Sequence, residues 1–241
     1  TSFKRRDGHY RRCEVYISYK NGKEYLLEYY DIAHTYKVND VKIPSVTRII
    51  DACFEKNLTN WAISIGDVEY HRIIAEALEI GNYTHEWIEE YIYTGRCIFN
   101  EEGPGNNNSI EAFLEWEEKY EPEWLSSERK VYCDKYKYAG TVDAVAKING
   151  RVCVIDFKTS KKIYKPYHLQ VTAYAQAIKR IDGLRQWPLG IILRLDKETG
   201  KYEQKVFEPK DHFNVFKKCL ELRQWSSLRI KNDKDKLEKT N

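Results

Sequence analysis

A chain of 241 residues with a net charge of +3 has room for a sizeable core, and its overall charge does not announce a nucleic-acid binder. No apolar run of about 18 residues and no apolar N-terminal segment is present, so the expectation is a soluble intracellular protein, cytoplasmic or organellar, with no membrane partner. The six cysteines never form C-x-x-C, which leaves no zinc spacing and no clustered iron–sulfur ligands, and they read as reduced core thiols.

In chain order, residues 1–12 are basic and polar and read as a disordered arm. Alternation over Cys13–Tyr19, a turn at Asn21-Gly22, Tyr25–Tyr30, then Tyr36–Val38 and Val41–Ile43 around Asn39-Asp40 predict a small antiparallel β unit. Ser45 is placed to cap a helix ending near Cys53, and short helices follow over 57–64 and 68–78, the latter with Ile73, Ile74, Ala77 and Leu78 on its apolar side. A further helix opens at Gly81. On it His85 shares a face with Ile88 and Ile92, so it points inward; a lone histidine there is commonly a hydrogen-bonded core residue. Trp61, Tyr70, Tyr83, Trp87, Tyr91 and Tyr93 make this region aromatic, mostly as core, with one or two able to stack on unpaired bases. Residues 103–109 form a loop, Ser109 caps a helix to Tyr120, and Pro122 stops it.

Ser126–Cys133 is the first core strand; a two-residue turn at Asp134-Lys135 would put Glu128 opposite Thr141. Asn149-Gly150 is a strong hairpin signal that pairs Ile148 with Arg151 and, counting back, Asp143 with Asp156. Opposed like charges destabilise a sheet unless something positive lies between them, and Lys158 shares the face of Asp156. Val142, Ala144, Cys153, Ile155 and Phe157 fall on the other face, so the strands read as covered on both sides, where a bare carboxylate pair is costly. A hard cation, Mg²⁺ or Mn²⁺, would resolve the conflict; the alternative is an ordinary hairpin with a local Asp156–Lys158 ion pair. From 151 to 180 there are seven Lys/Arg against one Asp, a basic strip that includes Lys161 and Lys162 and could hold phosphates. Residues 166–180 form a helix with Gln170 and Tyr174 on one side. Leu189–Leu195 is a buried strand, Thr199-Gly200 turns it, 201–207 returns, and 211–228 is an amphipathic helix before a charged, disordered end at 231–241.

Gly140-Thr141-Val142-Asp143, Asp156-Phe157-Lys158, and Gln170 with Tyr174 resemble the PD-(D/E)xK nuclease superfamily, in its RecB-like branch that includes the mitochondrial genome maintenance exonucleases. Pro44-Ser45-Val46-Thr47 resembles an entry segment of those exonucleases, and the resemblance runs roughly from Pro44 to Ile178. Val142 stands where the superfamily's proline would be. The resemblance implies Asp143, Asp156 and the backbone carbonyl of Phe157 as metal ligands, with Lys158 assisting the attacking water and Gln170 and Tyr174 lining the site. Gly81 followed four residues later by His85 resembles the motif whose histidine is also a ligand. Some relatives place a carboxylate near the metals on the strand of Glu128, for which a surface or lysine-paired role is equally open.

The expected fold is α/β: a restriction-endonuclease-like core with a central mixed sheet flanked by helices, preceded by a β unit and a helical region. One nuclease domain over 1–241 would comprise the β unit (1–45), the helical region (46–125), the catalytic core (126–227) and a charged tail (228–241). The expected function is a Mg²⁺- or Mn²⁺-dependent deoxyribonuclease, an exonuclease on single-stranded DNA using metal-activated water. Here His85, Asp143, Asp156, Phe157 and Glu128 would serve the metal, Asp143, Asp156 and Lys158 the catalysis, and Gln170, Tyr174, Lys161 and Lys162 the substrate. The rival readings are a structure-specific endonuclease on the same core and a catalytically inactive nucleic-acid-binding module.

Overall fold

The computed structural model describes residues 12–30, 35–54, 63–98 and 103–227. The basic arm at 1–11, Trp61, most of the helix expected over 57–64 and the tail from 228 lie outside the described residues.

Two sheets organise the chain. Strands β1 (Arg12–Ser18), β2 (Glu24–Tyr30), β3 (Thr35–Val38) and β4 (Val41–Ile43) form an antiparallel sheet in sequence order. Its tightest turn is the expected one: Asn39 and Asp40 both take left-handed φ, 49° and 62°, which asparagine and aspartate tolerate better than other side chains. Ser45 then accepts a hydrogen bond from the Arg48 N–H at 3.2 Å and starts helix α1 (Val46–Asp51).

The second sheet is mixed, in the order β5 (Glu123–Cys133), β6 (Tyr138–Ile148), β7 (Arg151–Lys158), β8 (Leu189–Leu195) and β9 (Tyr202–Phe207). Helix α4 (Lys165–Ile181) connects β7 to β8, the one parallel pair. On one side of this sheet Val145, Val154 and Ile192 pack with α1, α4, the C-terminal helix α5 (Pro209–Ser227) and the first sheet. On the other side Ala144, Ile155, Phe157 and Leu193 pack with helices α2 (Asp67–Thr94) and α3 (Asn108–Tyr120). Both faces are covered, so the central strands are apolar nearly throughout.

Several expectations are corrected. The two helices expected over 68–78 and from Gly81 are one continuous 28-residue helix, α2; Gly81 lies in its interior, where a single glycine weakens a helix without ending it. Leu78 is 60% exposed, and the buried position of that stretch is Ile80. Ser109 does not cap α3: a short 3₁₀ turn (Pro104–Asn107) leads in, Asn107 is the cap residue, and the Ser109 hydroxyl is buried 2.6 Å from that of Thr84 on α2. The turn after Cys133 has four residues, closed by the Lys137 N–H donating to the Cys133 carbonyl at 2.8 Å, so Lys130 rather than Glu128 faces Thr141. Val142 packs with Val145 and Val154 and not with Ala144 and Ile155, because alternation breaks at Asp143. Cys97 is exposed. Among the described residues no helix is long and apolar enough to cross a membrane.

Candidate active site

The break at Asp143 makes the site. The β6–β7 ladder follows the predicted register from Ile148↔Arg151 to Ala144↔Ile155 and stops one pair short of Asp143 and Asp156. Beyond that point β7 stays paired with β8 as far as Lys158↔Arg194, and β6 stays paired with β5 as far as Tyr138↔Cys133. The middle of the sheet therefore splays. The backbone groups freed in the gap need other partners, and the Phe157 N–H finds one by donating to the Asp143 carboxylate at 2.8 Å. The β5–β6 ladder skips a pair at the same level, at Glu128, whose φ of 46° is a left-handed value costly for a residue with a long side chain.

Three side chains meet there. One ligand atom each from His85 of α2, Glu128 of β5 and Asp143 of β6 lie within 4.8 Å of one another. His85 Nδ1 is 3.8 Å from Asp143 and 3.9 Å from Glu128, and its Nε2 is 3.2 Å from the Phe157 carbonyl oxygen. Asp156 takes a different posture. Its carboxylate is fully buried on the α4 side of β7, with the Lys158 ammonium 2.7 Å from Oδ2. That approach is off the hydrogen-bond direction, so neither carboxylate oxygen has a hydrogen bond among the described residues. The ion pair, not a shared cluster with Asp143, is what holds Asp156 here.

The electrostatics follow from this crowding. Burial pushes the Asp143 carboxyl from 3.8 up to about 6; His85 and Lys158 oppose that, and Asp156 and Glu128 reinforce it. For His85 burial disfavours the charge, but the pull of the Asp143 and Glu128 carboxylates outweighs it and leaves its pKa raised. Burial likewise works against charge on Glu128, yet His85 and Lys130 hold its pKa down. Lys158 is desolvated as well, and Asp156 and Asp143 together keep it above the ordinary lysine value.

Of the expected site residues, the fold brings together His85, Glu128, Asp143 and the Phe157 carbonyl, with Asp156 and Lys158 adjoining. The Gln170 amide donates to the Tyr174 hydroxyl at 3.3 Å, and Tyr174 is buried against Gly140, where an added Cβ would lie 2.6 Å from the ring. Burial pushes the Tyr174 phenol well up, with Tyr36, Asp143 and Asp156 adding to it. Lys161 and Lys162 are exposed on the loop after β7, and the Lys162 ammonium lies 5.3 Å from the Tyr164 ring centre.

Sequence reasoning missed three neighbours. Lys130 is 3.7 Å from Glu128 and sits over the Tyr29 ring at 4.9 Å; its spacing of two from Glu128 was the available signal. Tyr36 of the first sheet shares a hydrogen bond with Thr141 at 2.9 Å, and no local pattern links positions so far apart in sequence. Tyr167 places its ring 5.0 Å below the Lys158 ammonium.

The donor set suits a divalent cation. Carboxylate oxygens with one imidazole fit Mg²⁺ or Mn²⁺, and while the Lys158 ammonium meets Asp156 Oδ2, Oδ1 is buried without a hydrogen bond among the described residues, an acceptor that a cation would satisfy.

A splayed mixed sheet with an acidic and basic cluster in the gap is the arrangement expected of the nuclease fold, and the family comparison agrees. The model of the PD-(D/E)XK nuclease superfamily matches residues 105–238, more than half of the chain, and the chain belongs to that superfamily. Its substrate class is accordingly nucleic acid, and members of the superfamily generally depend on divalent metal ions. Among solved structures, a Eubacterium rectale protein described provisionally as an exonuclease is similar at 14% identity and a TM-score of 0.40, over 69% of this chain and 74% of that one. No curated protein sequence matches the chain.

Proposed function

We propose that this nuclease is a Mg²⁺- or Mn²⁺-dependent deoxyribonuclease that removes nucleotides from single-stranded ends. The observation that carries the reading is the clustering of His85, Glu128 and Asp143 at the point where β6 leaves β7. In this reading His85, Glu128, Asp143, Asp156 and the Phe157 carbonyl hold the metal. When bound, the ion would polarise the phosphate and lower the cost of deprotonating water.

The chain's own residues supply the rest. Lys158 is held charged by Asp156, so it acts as a cation and hydrogen-bond donor that orients water and offsets phosphate charge, rather than as a base. Asp143 accepts the Phe157 N–H, which fixes the backbone whose carbonyl faces the site. Gln170 and Tyr174 form the α4 wall, where the amide can contact the strand, and Lys161 and Lys162 lie in reach of a phosphate backbone entering over the loop. Both sheets share one hydrophobic cluster, which supports treating them as a single nuclease unit.

The test compares linear and circular single strands, and single with double strands, in Mg²⁺, Mn²⁺ and EDTA. Degradation of linear single strands with survival of circles is the expected outcome. Rapid cutting of circles would make the enzyme an endonuclease, and binding without cleavage in any metal would make it a binding module.

A further inference from the structure

A second feature lies on the same β5–β6 hairpin as Glu128 and Asp143, at its far end. A cavity of about 680 Å³ opens between the tip of that hairpin, strands β3 and β4, and the end of α5. It is of the size that takes a small organic ligand, in the range of roughly 300–1,000 Å³. Its wall includes Tyr25 and Tyr132, whose rings meet edge to face at 5.1 Å, and its rim carries Lys42, Lys137 and Arg223. Among the described residues no carboxylate lines it. Among the described residues none of these three cations has an ion-pair partner, and the Lys137 ammonium rests 5.8 Å from the centre of the Tyr132 ring. Unpaired cations around an apolar, aromatic hollow complement a ligand that joins phosphates to a flat base.

The position relative to the cleavage site selects among such ligands. Tyr132 is four residues along β5 from Glu128, roughly 13 Å at about 3.3 Å per residue. Between the two places the protein is packed: Lys130 bridges Glu128 and the Tyr29 ring, and Tyr29, stacked on Tyr36 at 4.9 Å, is buried with it and with Leu27, so a strand joining the two places would pass over this cluster. Resting on the nuclease reading above, we propose that this cavity is a second nucleic-acid subsite, which grips the phosphates and a base of the strand whose scissile bond lies at Asp143.

The experiment measures binding, in EDTA so that nothing is cut, of a fluorescent single-stranded oligonucleotide long enough to reach both places, across a salt series. The test variant is the triple substitution Lys42→Ala, Lys137→Ala, Arg223→Ala. The control is Lys201→Ala, Lys205→Ala, Lys210→Ala, which removes equal charge just before β9, on it and at the start of α5. A melting curve verifies folding of each, and the single variant Lys137→Ala stands in should the triple variant not fold. Loss of three single-strand phosphate contacts should lower the salt slope by about 2 and weaken binding by about ten- to a hundredfold at ~0.1 M salt. The control should leave the slope near that of the wild type, and Lys137→Ala alone should lower it by about 0.7.

An unchanged slope in the triple variant, or an equal fall in the control, would overturn the subsite. So would tight binding of a free nucleoside monophosphate that these substitutions abolish while strand binding persists, since the cavity would then belong to a mononucleotide. A wild-type protein that cleaves no strand in any metal but shows the expected slopes would overturn the nuclease reading and leave the subsite standing.

Discussion

Asp143 concentrates the physics of the site, because one buried carboxylate is pressed against two others and answered by one histidine and one lysine. Its side chain is 12% exposed, and its carboxyl is pushed up to about 6, first by burial. For Asp143→Asn we expect the metal-free fold to survive or gain stability, since the amide oxygen can still accept the Phe157 N–H while one charge of the crowd is gone. Stabilisation by added Mn²⁺ or Mg²⁺ should shrink, and cleavage should fall by orders of magnitude while strand binding in EDTA persists. Melting curves with and without metal, beside cleavage and binding titrations, test all three; a wild-type cleavage rate would remove Asp143 from the chemistry. The same group sets a pH dependence. Between its ordinary 3.8 and about 6 the folded chain retains a proton that the unfolded chain has lost, so metal-free stability falls as pH rises through that window. His85, also raised, adds in the same sense: its share is full below 6.5 and is lost as pH climbs through its higher folded value. Metal binding needs both groups deprotonated and runs the other way. The gap in Tm between Mn²⁺ and EDTA should therefore be small near pH ~5.5 and widen by pH ~7.5, and the widening should be blunted in Asp143→Asn. A gap independent of pH would mean that these two groups do not face the metal.

Two glycines separate what an element tolerates from what a site demands. An added Cβ on Gly81, inside α2, meets only the Thr159 hydroxyl at 3.5 Å, an ordinary contact, so Gly81→Ala should raise stability by about 0.5–1 kcal/mol through helix propensity. On β6 an added Cβ at Gly140 would lie 2.6 Å from the buried Tyr174 ring, so Gly140→Ala should cost about 1–3 kcal/mol and shift the α4 wall, lowering cleavage as well. Urea unfolding of both variants decides the matter, and a destabilised Gly81→Ala would show that α2 packs more tightly on the loop after β7 than its contacts indicate. The same elements show what was legible in the sequence. Strands read well because their turn chemistry is local: Asn149-Gly150 and Asn39-Asp40 carry left-handed φ where asparagine, aspartate and glycine accept it, and the registers follow by counting. Gly81 carries a local penalty that reads as a helix boundary inside α2, and long-range packing of Ile80, Thr84 and Ile88 overrides it. The place of Glu128 depended on a turn with weak local signals, Asp134–Lys137, and the register there differed from the count by two, which preserves the face and still brought Glu128 to the site. The contacts of Tyr36 with Thr141 and of Lys130 with the Tyr29 ring carry no local signal, since they exist only once the two sheets are docked.

The docking of those sheets is a property of the whole molecule, and a single hydroxyl stands at its centre. Tyr19, just past β1, donates to the Tyr132 carbonyl at the end of β5, while the Asp134 N–H donates to the Tyr19 hydroxyl oxygen at 2.9 Å. Arg180 of α4 holds the Asp134 carboxylate at 2.6 Å, and the Lys20 N–H reaches the Ile181 carbonyl at 2.8 Å. The first sheet, the hairpin that carries Glu128 and Asp143, and α4 are thus joined at one buried junction, and the Tyr19 phenol is correspondingly hard to ionise because burial opposes its charge. Removing that hydroxyl in Tyr19→Phe orphans a buried carbonyl and a buried N–H together without opening a cavity. An unsatisfied buried polar group costs about 1–3 kcal/mol, so the variant should melt about 3–8 °C lower for a chain of this size. Because Tyr36 and Tyr29 reach the site only through this docking, the loosened junction should also raise KM for single strands more than it lowers kcat. Thermal unfolding followed by far-ultraviolet circular dichroism and by tryptophan fluorescence supplies the second criterion. One shared transition is expected in the wild type, since both sheets contribute to one hydrophobic cluster, and it should move down as a unit in the variant. Two separated transitions would mean that the N-terminal sheet folds apart from the nuclease core and that its contacts with Thr141 and Lys130 are not needed to hold the site.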